Sequence, residues 1–493
     1  MIPLALREEI KIQETETMRT VSEKELIQRA GKALFVHLPA GKTAVLCGRG
    51  NNGADGLELA LEMKKANRDV DVFLLGEMKG EAAKELEKEC REEGIRITPL
   101  TADTQLQDYE VLVDCLLGTG FQGELKEDLR KIIEHINNDS AYVLSADIPS
   151  GLDADNGLGK DAAKADKTLT MGTRKPGLYL SDGKDHCGEI FCADIGLTET
   201  ESHRFLLERE DLFPLFPKRA ENSHKGSYGK TLILGGSKEY SGAVKLANLA
   251  LSALRCGRGL STLAVPESLF PAVSPYILDA TLALLKEKEG KMSYDPEELE
   301  KVLNGVSALL VGPGWGRSEE YPLILQDLLQ KDLPLVLDAD ALNTLAEMDP
   351  SFLRERRNVT VLTPHPREFS RLCHKEVSEV LSDPLSLAEN YARENKVILL
   401  LKGCSTIITD GKTTCITNTG CAGMAKGGSG DVLSGVVLGL LKEEDALLRT
   451  AAAAYLNGKA GELALKEKGE YGMCASDTAA HLPQAILSLQ EDI

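Results

Sequence analysis

The amino-acid sequence predicts an α/β protein built from two domains. The chain has 493 residues, which is long enough for two or three domains with separate hydrophobic cores. Short apolar runs typical of buried strands alternate with segments of helical spacing, which is the pattern of a mostly parallel sheet covered by helices. Glycine-rich turns follow such runs in both halves, at Gly48 and again at Gly235. Each half is therefore expected to hold its own ligand site.

The charge and composition exclude several classes of partner. The chain carries 57 basic and 77 acidic residues, a net charge of −20, so neither nucleic acid nor an anionic membrane is expected as a general partner. No signal-peptide pattern opens the sequence, and no apolar run approaches the roughly 20 residues of a membrane span. The 11 cysteines are odd in number and lack paired spacings, which indicates a reducing, cytoplasmic location. His186, Cys187 and Cys192 lack a second pair of ligands, so zinc is not expected.

The first half opens with a helix, a strand and a glycine loop. Residues 22–38 have helical apolar spacing, and Ser22 with Glu25 forms a capping-box pattern. A buried strand at 42–48 then runs into CGRGNNGADG and a helix from about Leu57. The loop matches the dinucleotide fingerprint G-x-G-x-x-G, with glycines at Gly48, Gly50 and Gly53 and with Asp69 or Asp71 as the following acid. That fingerprint is weak alone, and the polar loop residues Asn51, Asn52 and Asp55 indicate side-chain contacts to a ligand or a cation.

Polar side chains stand at the ends of three predicted strands in this half. After the glycine loop, strands are predicted at 69–75, 109–115 and 142–147, with helices at 81–93 and 125–136. Asn52 lies just past the first strand, Asp114 ends a later one, and Asp147 with Ser150 follows the last. Because ligands of an open parallel sheet bind at the carboxyl ends of its strands, this set predicts a site whose oxygens suit an alkali cation or magnesium. The alternative is that each aspartate merely caps the following turn.

The motifs GNNGADG, VDCLLGTGF and ADIPSGLDADNG resemble the successive signatures of the NAD(P)H-hydrate epimerase domain, over most of residues 1–210. The resemblance implies a Rossmann-like, three-layer α/β/α fold whose substrate is NADH or NADPH with water added to the nicotinamide ring. It implies that Asp147 is the acid/base, since the added hydroxyl lies beside the ring nitrogen and can leave and return through an iminium-like state. The implied ligand contacts are Asn51, Asn52, Gly53, Ala54, Asp55, Gly118, Thr119, Gly120, Phe121, Gln122, Gly123, Glu124 and Asp147, and the implied potassium ligands are Asn52, Asp114 and Ser150. The chain departs from the family at Ala54, where glycine is usual, and at Leu117, where an aromatic residue is usual; the methyl group of Ala54 costs little unless its φ is positive.

The periodic pattern lapses between about residues 199 and 225, where Pro214 and Pro217 indicate a linker. The predicted domains are therefore 1–215 and 216–493. Beyond the linker, GKTLILGGS and ALLVGPGWG are each predicted as a strand that runs into a glycine turn, and LPLVLDADALN as a strand that runs into a cap. VTVLTPHPREF is predicted as a strand that ends at His365, and VILLLKGCSTIITDG as paired strands around Lys402. GKT is not a Walker A motif, because His224 stands where the first glycine is needed.

Residues 418–441 combine four small residues with an acid and an apolar helix. Gly427, Gly428, Ser429 and Gly430 precede Asp431. Consecutive glycine amides can point the same way, and a helix N-terminus adds partial positive charge, so the segment predicts an anion hole. A carboxylate at the mouth of a phosphate hole indicates a base that acts on the group the phosphate meets. The alternative makes Asp431 an N-cap and the glycines a turn.

Two further residues of the second half are candidates for ligand contact. His365 lies between two prolines, which predicts an extended backbone that cannot begin a helix there. A lone histidine is usually structural or simply solvated, and its place on a rigid loop at a strand end raises the odds of a ligand contact. Lys402 begins KGCST, whose charge, amides and hydroxyls suit a phosphate or a ribose. The alternative for Lys402 is an ordinary charged strand end.

In their order, these motifs resemble the ADP/ATP-dependent NAD(P)H-hydrate dehydratases of the ribokinase-like fold, over roughly residues 225–485. The resemblance implies that Asp431 is the catalytic acid/base, that the glycine amides form an oxyanion hole, and that ADP with Mg²⁺ is the co-substrate. The implied contacts to the hydrated cofactor are Ala243, Gly314, His365 and Asp431, and the implied nucleotide contacts are Lys402, Gly403, Cys404, Ser405, Thr406 and Gly430. Trp315, next to Gly314, stands where leucine is more usual.

The resulting hypothesis is a bifunctional nicotinamide-nucleotide repair enzyme, an isomerase fused to a lyase. The first half interconverts the R and S hydrates, and the second converts the S form to NAD(P)H at the expense of ADP, giving AMP and phosphate. The expected partners are NAD(P)H hydrates and ADP, and the expected assembly is a homo-oligomer. The alternatives are a ribokinase-like vitamin-precursor kinase with an N-terminal nucleotide-binding module, a first half that only senses nucleotides or binds protein, and, more distantly, an oxidoreductase.

Overall fold

The computed structural model describes residues 1–254 and 258–490, with side chains left out at 252–254. Internal contacts divide the chain into two units: Pro3–Ser202 forms one, and His203–Ile493 with Met1 and Ile2 forms the other. The division falls inside the stretch predicted as a linker, and the predicted boundary at 215/216 stays a prediction. That stretch is not free of regular structure, because Arg204–Leu206 forms a strand. Within the described residues, none of the helices has the length and apolar character that crossing a membrane requires.

The first unit is a parallel sheet with helices between its strands. Its helices are α1 (Arg7–Thr17), α2 (Glu23–His37), α3 (Asn51–Lys65), α4 (Glu81–Glu92), α5 (Glu127–Asn138) and α6 (Gly183–His186). The strands of its sheet are β2 (Thr43–Cys47), β3 (Val70–Leu74), β4 (Arg96–Pro99), β5 (Val111–Cys115), β6 (Tyr142–Ala146), β7 (Lys167–Met171) and β8 (Glu189–Ala193). The first strand of the chain, β1 (Ile2–Leu4), is not part of this sheet. The sheet order is β4-β3-β2-β5-β6-β7-β8, and every neighbouring pair is parallel. The Rossmann-like prediction is confirmed, and the winding reverses between β2 and β5, where such sheets open a ligand crevice.

The helix after the glycine loop begins earlier than predicted, at Asn51 rather than near Leu57. The loop itself is tight, because a Cβ atom added to Gly53 would lie 2.0 Å from the carbonyl oxygen of Gly48. Ala54 lies inside α3 and is fully buried, and its φ is not positive. The methyl group that replaces the family's glycine therefore causes no backbone strain. The cap predicted at Ser22 is confirmed, since its hydroxyl accepts a hydrogen bond from the Glu25 N–H at 3.2 Å.

The second unit is a larger mixed sheet. Its strands are β9 (Arg204–Leu206), β10 (Lys230–Leu234), β11 (Leu260–Pro266), β12 (Thr281–Leu285), β13 (Glu287–Lys288), β14 (Lys291–Met292), β15 (Ala308–Val311), β16 (Leu335–Leu337), β17 (Thr360–Leu362), β18 (Ile398–Leu401), β19 (Thr406–Thr409) and β20 (Thr414–Thr417). Its helices are α7 (Ser241–Leu254), α8 (Phe270–Val273), α9 (Pro296–Leu303), α10 (Tyr321–Gln330), α11 (Asp340–Leu345), α12 (Ser351–Arg354), α13 (Pro366–Cys373), α14 (Val377–Ser382), α15 (Pro384–Asn395), α16 (Ser429–Leu440), α17 (Ala446–Lys468) and α18 (Ala475–Gln490). The main sheet runs β1-β9-β20-β19-β18-β17-β16-β15-β10-β11-β12. The pairs from β12 to β18 are parallel, and the predicted pairing of β18 with β19 is present and antiparallel.

Close helix packing fixes the position of the glycine-rich segment in this unit. The apolar run of α16 is buried against α7 in the main core, through side chains such as Val432, Val436 and Ala247. A Cβ atom on Gly435 would lie 2.2 Å from the carbonyl oxygen of Ala247, so the two helices approach as closely as their backbones allow. The N-terminus of α16, with Asp431 in its first turn, is thereby held rigidly.

Candidate functional site

The first unit gathers its strand-end residues around the carboxylate of Asp114, the fourth residue of β5. This side chain is fully buried and accepts four hydrogen bonds. They come from the Ser145 hydroxyl at 3.0 Å, the Ser150 N–H at 2.8 Å, the Ser150 hydroxyl at 2.5 Å and the Leu116 N–H at 3.3 Å. Burial raises the pKa of Asp114, although the bonds from Ser150 and Leu116 oppose that rise. Asp114 and Ser150 do meet, as the strand-end pattern predicted.

Asn52 is linked to Ser150, and so to Asp114, through the backbone of Leu117. Its side-chain N–H donates to the Leu117 carbonyl at 2.8 Å, and the Leu117 N–H donates to the Ser150 hydroxyl at 2.8 Å. The Asn52 side-chain oxygen is buried and has no hydrogen-bond partner. A buried amide oxygen without a partner is costly, and a bound cation would satisfy it.

Asp147 sits one residue beyond β6 in a left-handed backbone conformation, with a φ of 66°. One carboxylate oxygen accepts hydrogen bonds from the Met171 N–H at 3.2 Å and from the Lys175 ammonium. The other oxygen accepts from the Thr119 N–H at 3.2 Å and from the Thr119 hydroxyl. Burial alone would raise the pKa of Asp147, but the charge and hydrogen bond of Lys175, with the Thr119 hydroxyl, lower it below its usual value. The resting state of Asp147 is therefore the carboxylate.

Two acids near Asp147 have pKa values that are raised rather than lowered. Loss of solvation raises the pKa of Asp55 well above its usual range, and the charges of Asp147 and Glu14 add to the rise. Loss of solvation, followed by the charge of Asp147, also raises the pKa of Glu14 on α1. Three acids and the buried Lys175 thus form one electrostatic cluster. Glu14 and Lys175 were missed from the sequence, because α1 and the segment after β7 were not predicted there.

The loop from Gly118 to Glu124 contributes unequally to this site. A Cβ atom on Gly118 would lie 3.2 Å from the Cβ of Asn52 and 3.5 Å from a carboxylate oxygen of Asp147, so these three residues are adjacent. Thr119 bonds Asp147, whereas Phe121 packs partly buried against the hydrophobic core. The remaining loop residues and the first residue of α3 are exposed: Gly120 and Asn51, with Gln122, Gly123 and Glu124.

In the second unit, the glycine segment opens α16 as predicted. Gly428 is the N-cap, with a φ of 93°, and Asp431 is the third helical residue rather than the cap. Burial raises the pKa of Asp431 to about 7, and the charge of Asp338 adds to the rise while Lys402 opposes it. A carboxyl group that titrates near neutral pH is suited to general acid–base catalysis.

Lys402 lies among three acids of the second unit, Asp338, Glu368 and Asp431. Its ammonium lies 3.0 Å from a carboxylate oxygen of Asp338, which is buried, and 3.9 Å from one of Glu368. Burial raises the pKa of Glu368 to about 7, against the charge of Lys402. A Cβ atom on Gly430 would lie 3.4 Å from the Lys402 nitrogen, so the structure brings together these two proposed nucleotide contacts.

The rest of KGCST forms the turn between β18 and β19. Gly403 and Cys404 are exposed, the buried Ser405 hydroxyl lies 3.4 Å from the Asn418 side-chain oxygen, and Thr406 begins β19. Exposed backbone at a strand end beside a lysine is accessible to a phosphate or a ribose.

His365 is extended as predicted, but the expectation that no helix could begin there was wrong. His365 is the N-cap of α13, which starts at Pro366. Proline is favoured at the first helical position, because that position needs no N–H donor and its φ suits the helix. The His365 Nδ1 accepts from the N–H groups of Arg367 and Glu368 at 3.1 and 3.3 Å, so it carries no proton. Burial, followed by the charge of Lys402, lowers the pKa of His365, which keeps the ring neutral.

Ala243 and Gly314 are in direct contact. Gly314 has a φ of 62°, and a Cβ atom there would lie 3.0 Å from the Cβ of Ala243 and 2.3 Å from the Tyr240 carbonyl oxygen. Trp315, next to Gly314, is fully buried and stacks on Tyr321 with ring centroids 4.2 Å apart. Its ring therefore points into the core, and the unusual residue does not cover Gly314.

The sequence interpretation missed the acids of LDADALN and Glu368 in this site. Asp338 directly follows β16, as strand-end acids do in the first unit, so the signal was present but was taken for a cap. Between the two acids Ala339 has a φ of 51°, and the Asp340 carboxylate accepts from the Gly316 N–H at 2.7 Å. Non-glycine residues with positive φ are concentrated at functional sites.

Each unit therefore places a carboxyl group with a shifted pKa beside glycine-containing backbone. The fold and these two groups of residues define a two-domain α/β enzyme with one candidate site in each unit. The model of the NAD(P)H-hydrate dehydratase family matches residues 231–484, and the model of the YjeF-related protein N-terminus matches residues 20–177.

Known relatives share this two-domain organisation. A bifunctional NAD(P)H-hydrate repair enzyme from Coxiella burnetii is 37% identical over 481 residues, which cover 94% of this chain and 94% of the relative. Another from Moorella thermoacetica is 35% identical and covers 91% of this chain and 88% of its own length. The crystal structure of an ADP/ATP-dependent NAD(P)H-hydrate dehydratase from Bacillus subtilis, co-crystallised with ATP and Mg²⁺, is 29% identical, with a TM-score of 0.50, over 58% of this chain and 98% of that one. The chain belongs to the family of bifunctional NAD(P)H-hydrate repair enzymes, which confirms the resemblance of both halves.

Proposed function

We propose that this chain repairs hydrated NADH and NADPH in two steps, with Asp147 and Asp431 as the acid–base residues of the two sites. This assignment is supported by the opposite pKa shifts of the two carboxyl groups. The pKa of Asp147 is lowered, and that of Asp431 is raised to about 7. Different environments suit them to different tasks, because one carboxylate is held ionised and the other exchanges its proton near neutral pH.

At the first site, epimerisation requires one proton to move twice. The ring hydroxyl takes a proton and leaves as water, while the lone pair of the neighbouring nitrogen forms a C=N bond. Water then adds to the opposite face of that carbon and gives the proton back. Lys175 favours the ionised form of Asp147, whereas burial and the charge of Asp147 favour the protonated form of Asp55, so the site offers both a proton acceptor and a proton donor.

The residues present fit a potassium ion at this site. The buried Asn52 oxygen lacks a partner, and hydrogen bonds link the Asn52 side chain through Leu117 to the Ser150 hydroxyl and the carboxylate of Asp114. Several neutral oxygens with one carboxylate suit a weakly hydrated alkali cation. Asn52, Asp114 and Ser150 would hold the ion, which would supply positive charge at the end of β5.

At the second site, the co-substrate is ADP. Asp431 deprotonates the ring hydroxyl, whose oxygen attacks the terminal phosphorus of ADP, and AMP leaves. Phosphate then departs from the ring carbon, the adjacent nitrogen donates its lone pair, and loss of a proton from the neighbouring carbon restores the ring double bond. Lys402 and the amides from Gly427 to Gly430 would stabilise the transferred phosphoryl group.

Magnesium fits this site as a partner of the nucleotide rather than of the protein alone. Among the described residues, no group of three or more His, Cys, Asp and Glu side chains is arranged to hold a metal ion. Magnesium is commonly held by one or two carboxylates together with substrate phosphates, and Glu368 beside Lys402 is the candidate carboxylate. The ion would shield the charge of the phosphates.

The test supplies the native chain with a mixture of both hydrate epimers, ADP and Mg²⁺. The proposal predicts that NADH absorbance rises to full conversion, with one AMP and one phosphate released for each NADH. A stable phosphorylated product without NADH would instead indicate a small-molecule kinase. The same assay with ATP in place of ADP establishes which nucleotide the chain prefers.

A further inference from the structure

We propose that Lys175 is a positioning residue of the epimerisation reaction, which fixes the carboxylate of Asp147 so that a single oxygen faces the ligand loop. The inference rests on the proposed function of the first unit. It concerns a residue that the sequence motifs did not single out and that lies four residues beyond the end of β7.

The ammonium group of Lys175 is buried and uses all of its hydrogen-bond donors on other groups of the protein. The side chain is 1% exposed. Its nitrogen donates to the Asp147 carboxylate, to the Thr170 hydroxyl at 2.8 Å and to the Met171 carbonyl oxygen at 3.0 Å. A lysine has three N–H donors, and all three have acceptors here. Lys175 therefore has no donor left for a substrate and can act only through Asp147.

The two carboxylate oxygens of Asp147 contact different parts of the first unit. Oδ1 accepts from Lys175 and from the Met171 N–H, on the side of β7. Oδ2 accepts from Thr119 and lies 3.5 Å from where a Cβ of Gly118 would stand, on the side of the ligand loop. The left-handed backbone of Asp147, whose N–H is bonded to the Leu169 carbonyl at 2.8 Å, leaves the side chain little freedom. Lys175 thus holds Oδ1 and leaves Oδ2 to exchange a proton with the ligand.

The surrounding charges make this anchor necessary. Glu14 faces the cluster from α1, Asp55 from α3 and Cys192 from β8. The two acids repel a charged Asp147, and burial disfavours its ionised form further. The ammonium of Lys175 is the strongest influence that keeps the carboxylate ionised, and it supports the geometric role.

The test replaces Lys175 with methionine in the full chain, with Lys167→Met as the matched control. Lys167 is the first residue of β7, the strand that precedes Lys175, but its ammonium lies over the ring of Phe191, 4.8 Å from the centroid. Conversion of the R to the S hydrate is followed by chromatography between pH 5 and 9. The native pKa of Asp147 lies below its usual value, so the native rate should show no acid limb in this range. We expect the Lys175→Met rate to be at least tenfold lower at pH 6 and to recover as the pH rises, which corresponds to an acid limb moved up by about three units or more. Lys167→Met should follow the native profile, and both variants should dehydrate the S hydrate normally.

Several outcomes would overturn the inference. An equal loss of rate at every pH would show that Lys175 is only structural, and an unchanged profile would show that Asp147 does not depend on it. A native chain that does not epimerise at all would instead refute the proposed function. If Lys175→Met does not fold, Thr170→Val decides the matter, because it removes one 2.8 Å acceptor and keeps the charge. We then expect a several-fold lower kcat with an unchanged KM and acid limb, and a native kcat would contradict the proposal.

Discussion

Replacing Gly428 with alanine tests whether the glycine segment needs its left-handed N-cap. Gly428 has a φ of 93° and a ψ of −15° and directly precedes α16. A residue with a side chain rarely adopts this conformation, so Gly428→Ala must either strain the backbone or rotate the amides of the anion hole. The change is therefore expected to affect both the stability of the chain and its dehydratase activity.

The local contacts set the size of the stability effect. An added Cβ would lie 2.5 Å from a terminal methyl of Leu246 and 3.2 Å from the Cβ of Ala475. The Leu246 methyl belongs to the flexible end of a half-buried side chain and can turn away, so backbone strain dominates. We expect a loss of roughly 1–2 kcal/mol in the free energy of unfolding. Gly427→Ala is the matched control, because an added Cβ there meets nothing within 4 Å and its φ is not positive.

Chemical denaturation and two activity assays read out this prediction. Gly427→Ala should unfold within ~0.5 kcal/mol of the native chain. In Gly428→Ala, dehydration of the S hydrate should fall by roughly tenfold or more, as expected when a phosphate-stabilising amide is misplaced. Epimerisation by the same chain should be unchanged. Equal stability of the two variants, or full dehydratase activity in Gly428→Ala, would refute the assigned geometry.

Three further predictions concern pH, the cation and a buried ion pair. Because Asp431 must be ionised to act as a base and its pKa is about 7, kcat/KM for dehydration should fall tenfold per pH unit below about pH 7. Asp338→Asn removes a charge that raises this pKa and should therefore move the acid limb of the pH profile to lower pH. An acid limb that does not move would contradict the electrostatic influence of Asp338 on Asp431. Replacing K⁺ by a large organic cation should slow epimerisation and leave dehydration of the S hydrate unchanged, whereas Asn52→Leu should abolish the K⁺ response; a K⁺ response that survives in Asn52→Leu would exclude the assigned site. Glu389→Ala should lower the free energy of unfolding by roughly 3 kcal/mol, because it removes the buried carboxylate that bonds two nitrogens of the buried Arg204 at 2.8 Å. A loss below ~1 kcal/mol in denaturant titration would show that the pair is dispensable.

The sequence was sufficient where a functional group and its local signal lie close together along the chain. Asp114 and Ser150 were expected to meet because parallel strands end at the same edge of a sheet, and the structure joins them by two hydrogen bonds. The start of α16 at the glycine segment could be predicted for a similar reason, because glycines followed by an apolar run indicate the start of a helix. The same reasoning would have noticed Asp338 if strand-end acids had been weighed equally in both halves.

The residues that were missed depend on contacts between distant parts of the chain. Lys175 meets Asp147 only because β6 and β7 are neighbours, and β7 was not recognised. Lys402 meets Asp338 across 64 residues, through the order of strands from β16 to β18. The helix start at Pro366 was missed because proline was weighed as a helix breaker, although it is favourable at a first position. Local pattern predicts elements, whereas partners of buried charges require the topology.

The measurement that tests the central claim most directly follows NADH formation by three chains from a mixture of R and S hydrates with ADP and Mg²⁺. The native chain should convert the mixture completely, and Asp431→Ala should form no NADH while still interconverting the epimers. Asp147→Ala should give a rapid burst equal to the S fraction, followed by only the slow spontaneous epimerisation. Complete rapid conversion by Asp147→Ala, or NADH formation by Asp431→Ala, would contradict the division of the two reactions between these carboxylates.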